Sequence, residues 1–154
     1  MTPEQRLSKL GIILPTPPTP VATYVPWRFA GNLLYLSGQG PKLPNGNYSV
    51  GRLGLTADIA QGYADARTTG LQLLATAKAA LGELSRIEAV IKLLGMVNAE
   101  PEFSDHPKVI NGCSDLFVEI LGEDVGRHAR SAIGMGSLPN RMTVEIEAIF
   151  LIKP

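Results

Sequence analysis

The hydrophobic positions follow two rhythms, and each change of rhythm marks an element. From about residue 56 to Leu81, the residues Ile59, Tyr63, Ala66, Gly70, Leu73, Leu74, Ala77 and Leu81 recur at three-to-four spacing. That is one face of a long helix, and Gly82 stops it. The stripe is rich in Ala and Gly, so the helix can lie close to whatever it covers. Val109, Cys113, Leu116, Phe117 and Ile120 repeat the rhythm in a second helix. Asp105 is its candidate cap, Pro107 falls in its first turn, Gly122 ends it, and Asn111 sits off the stripe. The stretch "MTVEIEAIFLI" (Met142 to Ile152) switches to period two. Val144, Ile146, Ala148, Phe150 and Ile152 take one side; Glu145, Glu147, Ile149 and Leu151 take the other.

Four further strands complete the pattern. Runs at about 23–29 and 33–38 flank Ala30-Gly31-Asn32, which suits a tight hairpin. Residues 86–98 read as one long β-branched strand, and residues 129–137 as a strand joined to the last by Leu138-Pro139-Asn140. Asn45-Gly46 marks a turn. At the start, Thr2 caps a short helix with Pro3 in its first position and Gly11 at its end. "PTPPTP" (Pro15 to Pro20) is then an extended lead-in along the surface.

The order ββ-α-β-α-ββ predicts an α+β sandwich with both helices on one sheet face. If Val144 and its companions pack under the helices, Ile149 and Leu151 face away, with Val90 or Ile91 beside them. That face is too apolar to leave bare, which predicts a symmetric homo-oligomer.

Length and composition narrow the class. The 154 residues fit one domain, 1–154, with residues 1–22 as the short helix plus the lead-in. Lys+Arg and Asp+Glu are each 14, with no basic stripe, which disfavours nucleic acid as the main partner. One cysteine rules out an intrachain disulfide. The N-terminus lacks a signal-peptide pattern and no apolar run approaches a membrane span, so the expected location is the cytoplasm. The Asn47-Tyr48-Ser49 sequon is read as chance.

Most familiar chemistry is missing. Two histidines, His106 and His128, and one cysteine give no zinc spacing. "SGQGPKL" and "GMGSLP" lack the third glycine and the strand-to-helix setting of a dinucleotide site. Cys113 lies on a core stripe and reads as packing rather than as a nucleophile. His128 reads as a surface loop residue. What remains is Arg130, Glu145, Glu147, Asn111, Tyr24 and the turn Ser37-Gly38-Gln39.

Four blocks, "YVPWRFAGNLLYLSGQGP", "INGCSDLF", "HARSAIG" and "VEIEAI", together resemble the YjgF/RidA family of enamine/imine deaminases, in that family's order from Tyr24 onward. The longer forms "KVINGCSDL" and "VGRHARSAIG" look like a bacterial RidA-like subgroup. The resemblance implies a chorismate-mutase-like fold and a homotrimer with an internal β-barrel and one cleft per subunit interface. It also implies hydrolysis of 2-enamine/2-imine acids to 2-keto acids and ammonia, with no cofactor and no metal. It matches Arg130 to a carboxylate-binding arginine and Glu145 to a water-associated glutamate. Tyr24, Ser37, Gly38 and Asn111 match other cleft positions. Ala132 departs from the cysteine common in RidA proper, which reshapes the pocket.

Each residue also has a plainer reading. Arg130 could be an exposed strand arginine, Glu145 an interface glutamate, Tyr24 a half-buried aromatic, Ser37-Gly38 a strand-end turn and Asn111 a solvent-facing helix residue. Glu147 is read as structural. Two rivals to the deaminase stand: a non-catalytic trimer that binds small carboxylates or a partner protein, and an endoribonuclease.

Overall fold

The computed structural model describes residues 1–19 and 22–154. Helix α1 (Pro3–Lys9) starts on a reciprocal cap. The Thr2 hydroxyl accepts the Gln5 N–H at 3.2 Å, and the Gln5 side chain accepts the Thr2 N–H at 2.8 Å. Glu4 then accepts the Leu84 N–H at 2.6 Å, tying the helix to the body of the chain. Ile12 to Leu14, with Pro15 and Pro17, run along a groove beside Ala75, Lys78 and Gly82. The last lead-in residue, Pro20, lies outside the described residues.

Strand β1 (Trp27–Ala30) pairs with β2 (Leu33–Gln39) across a two-residue turn in which Gly31 takes a φ of 58°. β1 is shorter than the predicted 23–29. Pro26 has no N–H for a ladder, and Ser37 holds this segment instead. The Ser37 N–H reaches Pro26 O at 3.0 Å and its hydroxyl donates to Val25 O at 2.7 Å.

Helix α2 (Ile59–Leu81) begins at Asp58, whose carboxylate accepts the Gln61 N–H at 2.8 Å, rather than at Thr56. The Thr56 hydroxyl is engaged with the Arg52 N–H. Strand β3 (Ile87–Asn98) leads to α3 (His106–Leu121). Asp105 does not cap α3 with its side chain; its carboxylate pairs with Lys108 at 3.3 Å. A single turn, α4 (Glu123–Gly126), was not visible in the pattern. β4 (Ala129–Met135) and β5 (Val144–Ile152) stop short of the predicted 129–137 and 142–153, because Asn140 and Arg141, both at φ 55°, turn the chain between them.

The five strands form one sheet in the order β1-β2-β5-β3-β4. β3 and β4 are parallel, joined through α3, and the other pairs are antiparallel. The period-two reading of β5 holds: Val144, Ile146, Ala148, Phe150 and Ile152 are all buried, while Glu145, Ile149 and Leu151 are half-buried and Glu147 is exposed. The α3 stripe from Val109 to Ile120 is fully buried, and Phe117 packs on Phe150 at 5.8 Å between ring centres.

Helices α2 and α3 cross closely because three glycines permit it. A Cβ on Gly112 would lie 2.0 Å from the Tyr63 carbonyl oxygen; one on Gly70 would lie 2.9 Å from Leu116, and one on Gly62 3.0 Å from Val109. The second flank of α2, with Asp65, Thr69, Gln72 and Thr76, is buried as well. Thr69 and Thr76 return their hydroxyls to the carbonyls one turn back. Asp65 accepts from Ser49 at 2.8 Å and Thr143 at 2.6 Å.

Among the described residues, much of the opposite sheet face is left open. Tyr35 pairs with Ile149 and Leu33 with Leu151; Tyr35 is 43% exposed and Ile133 42%. Of the two β3 candidates, Ile91 is exposed and Val90 is buried beside Phe150. No helix among the described residues is long and apolar enough to cross a membrane.

Candidate active site in two halves

The first half is built by the turn before β1 and a bulge in β2. Leu36 pairs with Ala148 but Gln39 pairs with Ile146, so β2 carries one extra residue at Ser37-Gly38. Gly38 leaves room for the glutamate there: a Cβ would come within 2.9 Å of Glu145 Oε2 and push that carboxylate aside. Tyr24, Gly38 and Glu145 line one cleft with Gln39, Lys42 and Tyr48. Ser37 adjoins this cleft, with its proton committed to Val25. Burial raises the Glu145 pKa above the usual carboxylate range, and the charge on Glu147 raises it further.

That shift has a consequence for stability. A carboxyl whose folded pKa is raised binds its proton more tightly folded than unfolded, so it costs stability as pH climbs through the folded value. Below the unfolded pKa the cost is absent. Glu145→Gln is therefore expected to raise the melting temperature at neutral pH, with the difference closing below about pH 4. Thermal melts of both proteins across that range check it; a gain independent of pH would contradict the burial argument.

The second half lies on α3, the loop before β4, and β4. Arg130 pairs in register with Leu93, which is buried under the helices, and so reaches towards α3. Arg130 Nη1 donates to Ser114 Oγ at 2.9 Å and Nη2 to Pro107 O at 3.4 Å. Asn111, Ser114, His128 and Arg130 line a cleft of about 780 Å³ with Asp115, Glu119 and Glu123. Each of those carboxylates is already engaged. Asp115 accepts from the Tyr63 hydroxyl at 2.7 Å, Glu119 pairs with Arg67 at 2.8 Å, and Glu123 pairs with Arg127. Arg130 is in no ion pair among the described residues. It is a half-buried, always-charged fork open to an external carboxylate.

The structure thus brings Tyr24, Gly38 and Glu145 together, and separately Arg130 and Asn111. The two halves are on opposite faces of one sheet, since Glu145 alternates away from the helices and Arg130 points at one. Ala132 sits two residues beyond Arg130, half-buried against the core and paired with Gly95. Cys113 is fully buried, and burial pushes its thiol far above the usual range, which leaves it inert. His106 packs edge-on against Phe103. Among the described residues no three His, Cys, Asp or Glu side chains gather as metal ligands.

Ser114 was not singled out from the sequence, and His128, read there as a surface loop residue, is instead half-buried between Ser114 and Gly126 at this cleft. A signal was present: Ser114 falls three residues after Asn111 on a helix, and His128 two before Arg130 in extended chain, so each pair shares a face.

A five-stranded mixed sheet in this order, with α2 and α3 on one face, defines the chorismate-mutase-like α+β class. The chain belongs to the YjgF family: residues 4–146 match the family described as "YjgF/chorismate mutase-like, putative endoribonuclease". It is similar to Protein TCP17 of Trypanosoma cruzi, at 42% identity over 93% of this chain and 89% of that protein. Among solved structures it resembles Atu1372, a protein with unknown function from Agrobacterium tumefaciens, at 47% identity and a TM-score of 0.89 over 99% of this chain and 94% of that one. A second, from Shewanella oneidensis MR-1 and described as a putative endoribonuclease, aligns at 35% identity with a TM-score of 0.94, covering 99% of this chain and all of the other.

Proposed function

We propose that the protein hydrolyses small 2-imino or 2-enamino acids to 2-keto acids and ammonia. The observation that carries this reading is Arg130, a cation facing a cleft whose carboxylates are all taken by other partners. A substrate carboxylate is the natural counter-charge. In the protonated imine, water adds to C2 and gives up a proton, forming a carbinolamine. A proton then moves to nitrogen, the C–N bond breaks with its electrons on nitrogen, and the oxygen becomes the ketone. The net change is protonated imine plus water to keto acid plus ammonium.

Glu145 is the group suited to carry those protons. Burial and the Glu147 charge raise its pKa, which makes it a better proton acceptor than an ordinary carboxylate. Tyr24, Ser37 and Gly38 shape its surroundings, and Asn111 and Ala132 border the arginine. Since Arg130 and Glu145 occupy opposite faces of one sheet, the reading requires a cleft between chains, Arg130 from one copy facing Glu145 of the next. That contact brings the β4 edge of one copy, which carries Arg130, against the Glu145 face of the next, a head-to-tail arrangement that a cyclic trimer closes.

A second reading keeps the same arginine without turnover, as a carboxylate-binding trimer. Ammonia release from freshly generated imines of several amino acids separates the two. Saturable binding with no release would favour the binder. Endoribonuclease activity, the description of a relative, is disfavoured by the balanced charge; RNA cleavage lost on a cleft substitution would revive it.

A further inference from the structure

The Arg130 cleft contains a chain of hydrogen bonds whose directions are all determined. Arginine only donates, so Ser114 Oγ accepts from Arg130 Nη1 at 2.9 Å. Gly126 O only accepts, so His128 Nδ1, 2.7 Å away, carries a proton and donates it. In the neutral ring Nε2 is then bare. It must accept, and the Ser114 hydroxyl 2.9 Å away is the donor. The run is Arg130 N–H to Ser114 O–H to His128 to Gly126 O, with one donor for each acceptor. Phe117 closes against the His128 ring edge-on at 6.0 Å.

We infer that Ser114 and His128 are positioning residues that hold the Arg130 guanidinium in the orientation that receives a substrate carboxylate. The inference rests on the reading of Arg130 as the carboxylate anchor. Without Ser114, Nη1 has no side-chain acceptor, and the guanidinium keeps only the long 3.4 Å contact to Pro107 O. The fork can then swing on its stem, and the two parallel bonds that a carboxylate needs are no longer preset. His128 acts one step further back. Its bare nitrogen draws the serine proton away from the arginine, so the serine lone pairs face Nη1. Burial, and the nearby charge of Arg130, hold the His128 pKa below the usual histidine range, which keeps that nitrogen bare at neutral pH. Asp115 and Glu119 on α3, and Glu123 and Arg127 around α4, are the other charged groups lining the cleft. The same Ser–His geometry in a hydrolase would signal a nucleophile. Here Ser114 sits in the middle of α3, where the backbone N–H groups are spent on the helix and none is free to hold an oxyanion.

The test uses pyruvate, a small 2-keto acid that binds without reacting, titrated into the full-length wild type and variants. Ser114→Ala is expected to weaken pyruvate binding about tenfold, and His128→Phe about threefold to tenfold, with the melting temperature within about 2 °C of wild type. Ser114→Thr, which keeps the hydroxyl, is expected to stay within about twofold. In turnover the losses should fall on KM rather than kcat. If Arg130→Ala abolishes pyruvate binding while Ser114→Ala and His128→Phe match wild type, the positioning role is wrong and the anchor stands. If wild type and Arg130→Ala bind alike, or wild type does not bind, the anchor fails and the inference with it. If pyruvate binding follows the expected order and no imine is hydrolysed, the inference stands and the deaminase reading fails.

Discussion

Arg130→Ala is expected to lower 2-imino acid hydrolysis by at least about a hundredfold. The guanidinium can offer a carboxylate two charge-assisted hydrogen bonds, each worth about 1.5–3 kcal/mol. Losing both, together with the orientation they impose, corresponds to roughly 3–6 kcal/mol of transition-state stabilisation. The fold should tolerate the change, because Arg130 lies at an edge strand and its partners, Ser114 Oγ and Pro107 O, line or border an open cleft. Arg130→Lys should recover little, since a single ammonium cannot form the paired geometry. The check is ammonia release from an imine generated in the assay, alongside circular dichroism and molecular mass. Full activity in a correctly folded Arg130→Ala protein would falsify the assignment.

The second large effect is on folding. Gly112→Ala places a methyl group 2.0 Å from the Tyr63 carbonyl oxygen and 3.0 Å from the Arg67 nitrogen, both backbone atoms of α2. A flexible side chain could move aside; a helix backbone cannot without separating from its neighbour. The cost is expected at the top of the overpacking range, about 3 kcal/mol, which for a chain of this length lowers the melting temperature by roughly 6–12 °C. Gly46→Ala is the control: its neighbourhood is empty, and only its φ of 88° penalises the methyl. Melts of the two variants separate a packing clash from a general intolerance of lost glycine.

The fold was legible wherever one face of an element is buried and the other is not. β5 and α3 fall in that class, so their periods showed directly which side chains enter the core. The length of β1 was not legible, because its segment is held by the Ser37 side chain and backbone rather than by a ladder. α2 was half legible: its apolar stripe was correct, but Asp65, Thr69, Gln72 and Thr76 look polar and exposed in sequence. Asp65, Thr69 and Thr76 are buried with hydrogen bonds that close locally or onto Ser49 and Thr143, whereas the Gln72 amide reaches Lys42 O at 3.5 Å and its Oε1 has no partner among the described residues. The candidate residues could be named from the sequence, but their arrangement could not. β4, "ARSAIGM", has no apolar alternation to say which way Arg130 points; only the parallel register with β3 decides it. The Ser114–His128 chain needs α3 and the loop before β4 brought together, which no local pattern encodes.

Under the proposed function, the separation of Arg130 and Glu145 onto two faces of one sheet would make the contact between chains, rather than the chain, the unit of function. Two variants that are each inactive, Arg130→Ala and Glu145→Gln, then carry different defects that a mixed assembly can pair off. In a cyclic trimer formed at random from equal amounts, about a quarter of the clefts would join an intact arginine to an intact glutamate. Co-expression of the two dead variants is expected to restore about that fraction of wild-type turnover. By the same logic, dilution that dissociates the assembly would silence a protein in which every chain is still folded.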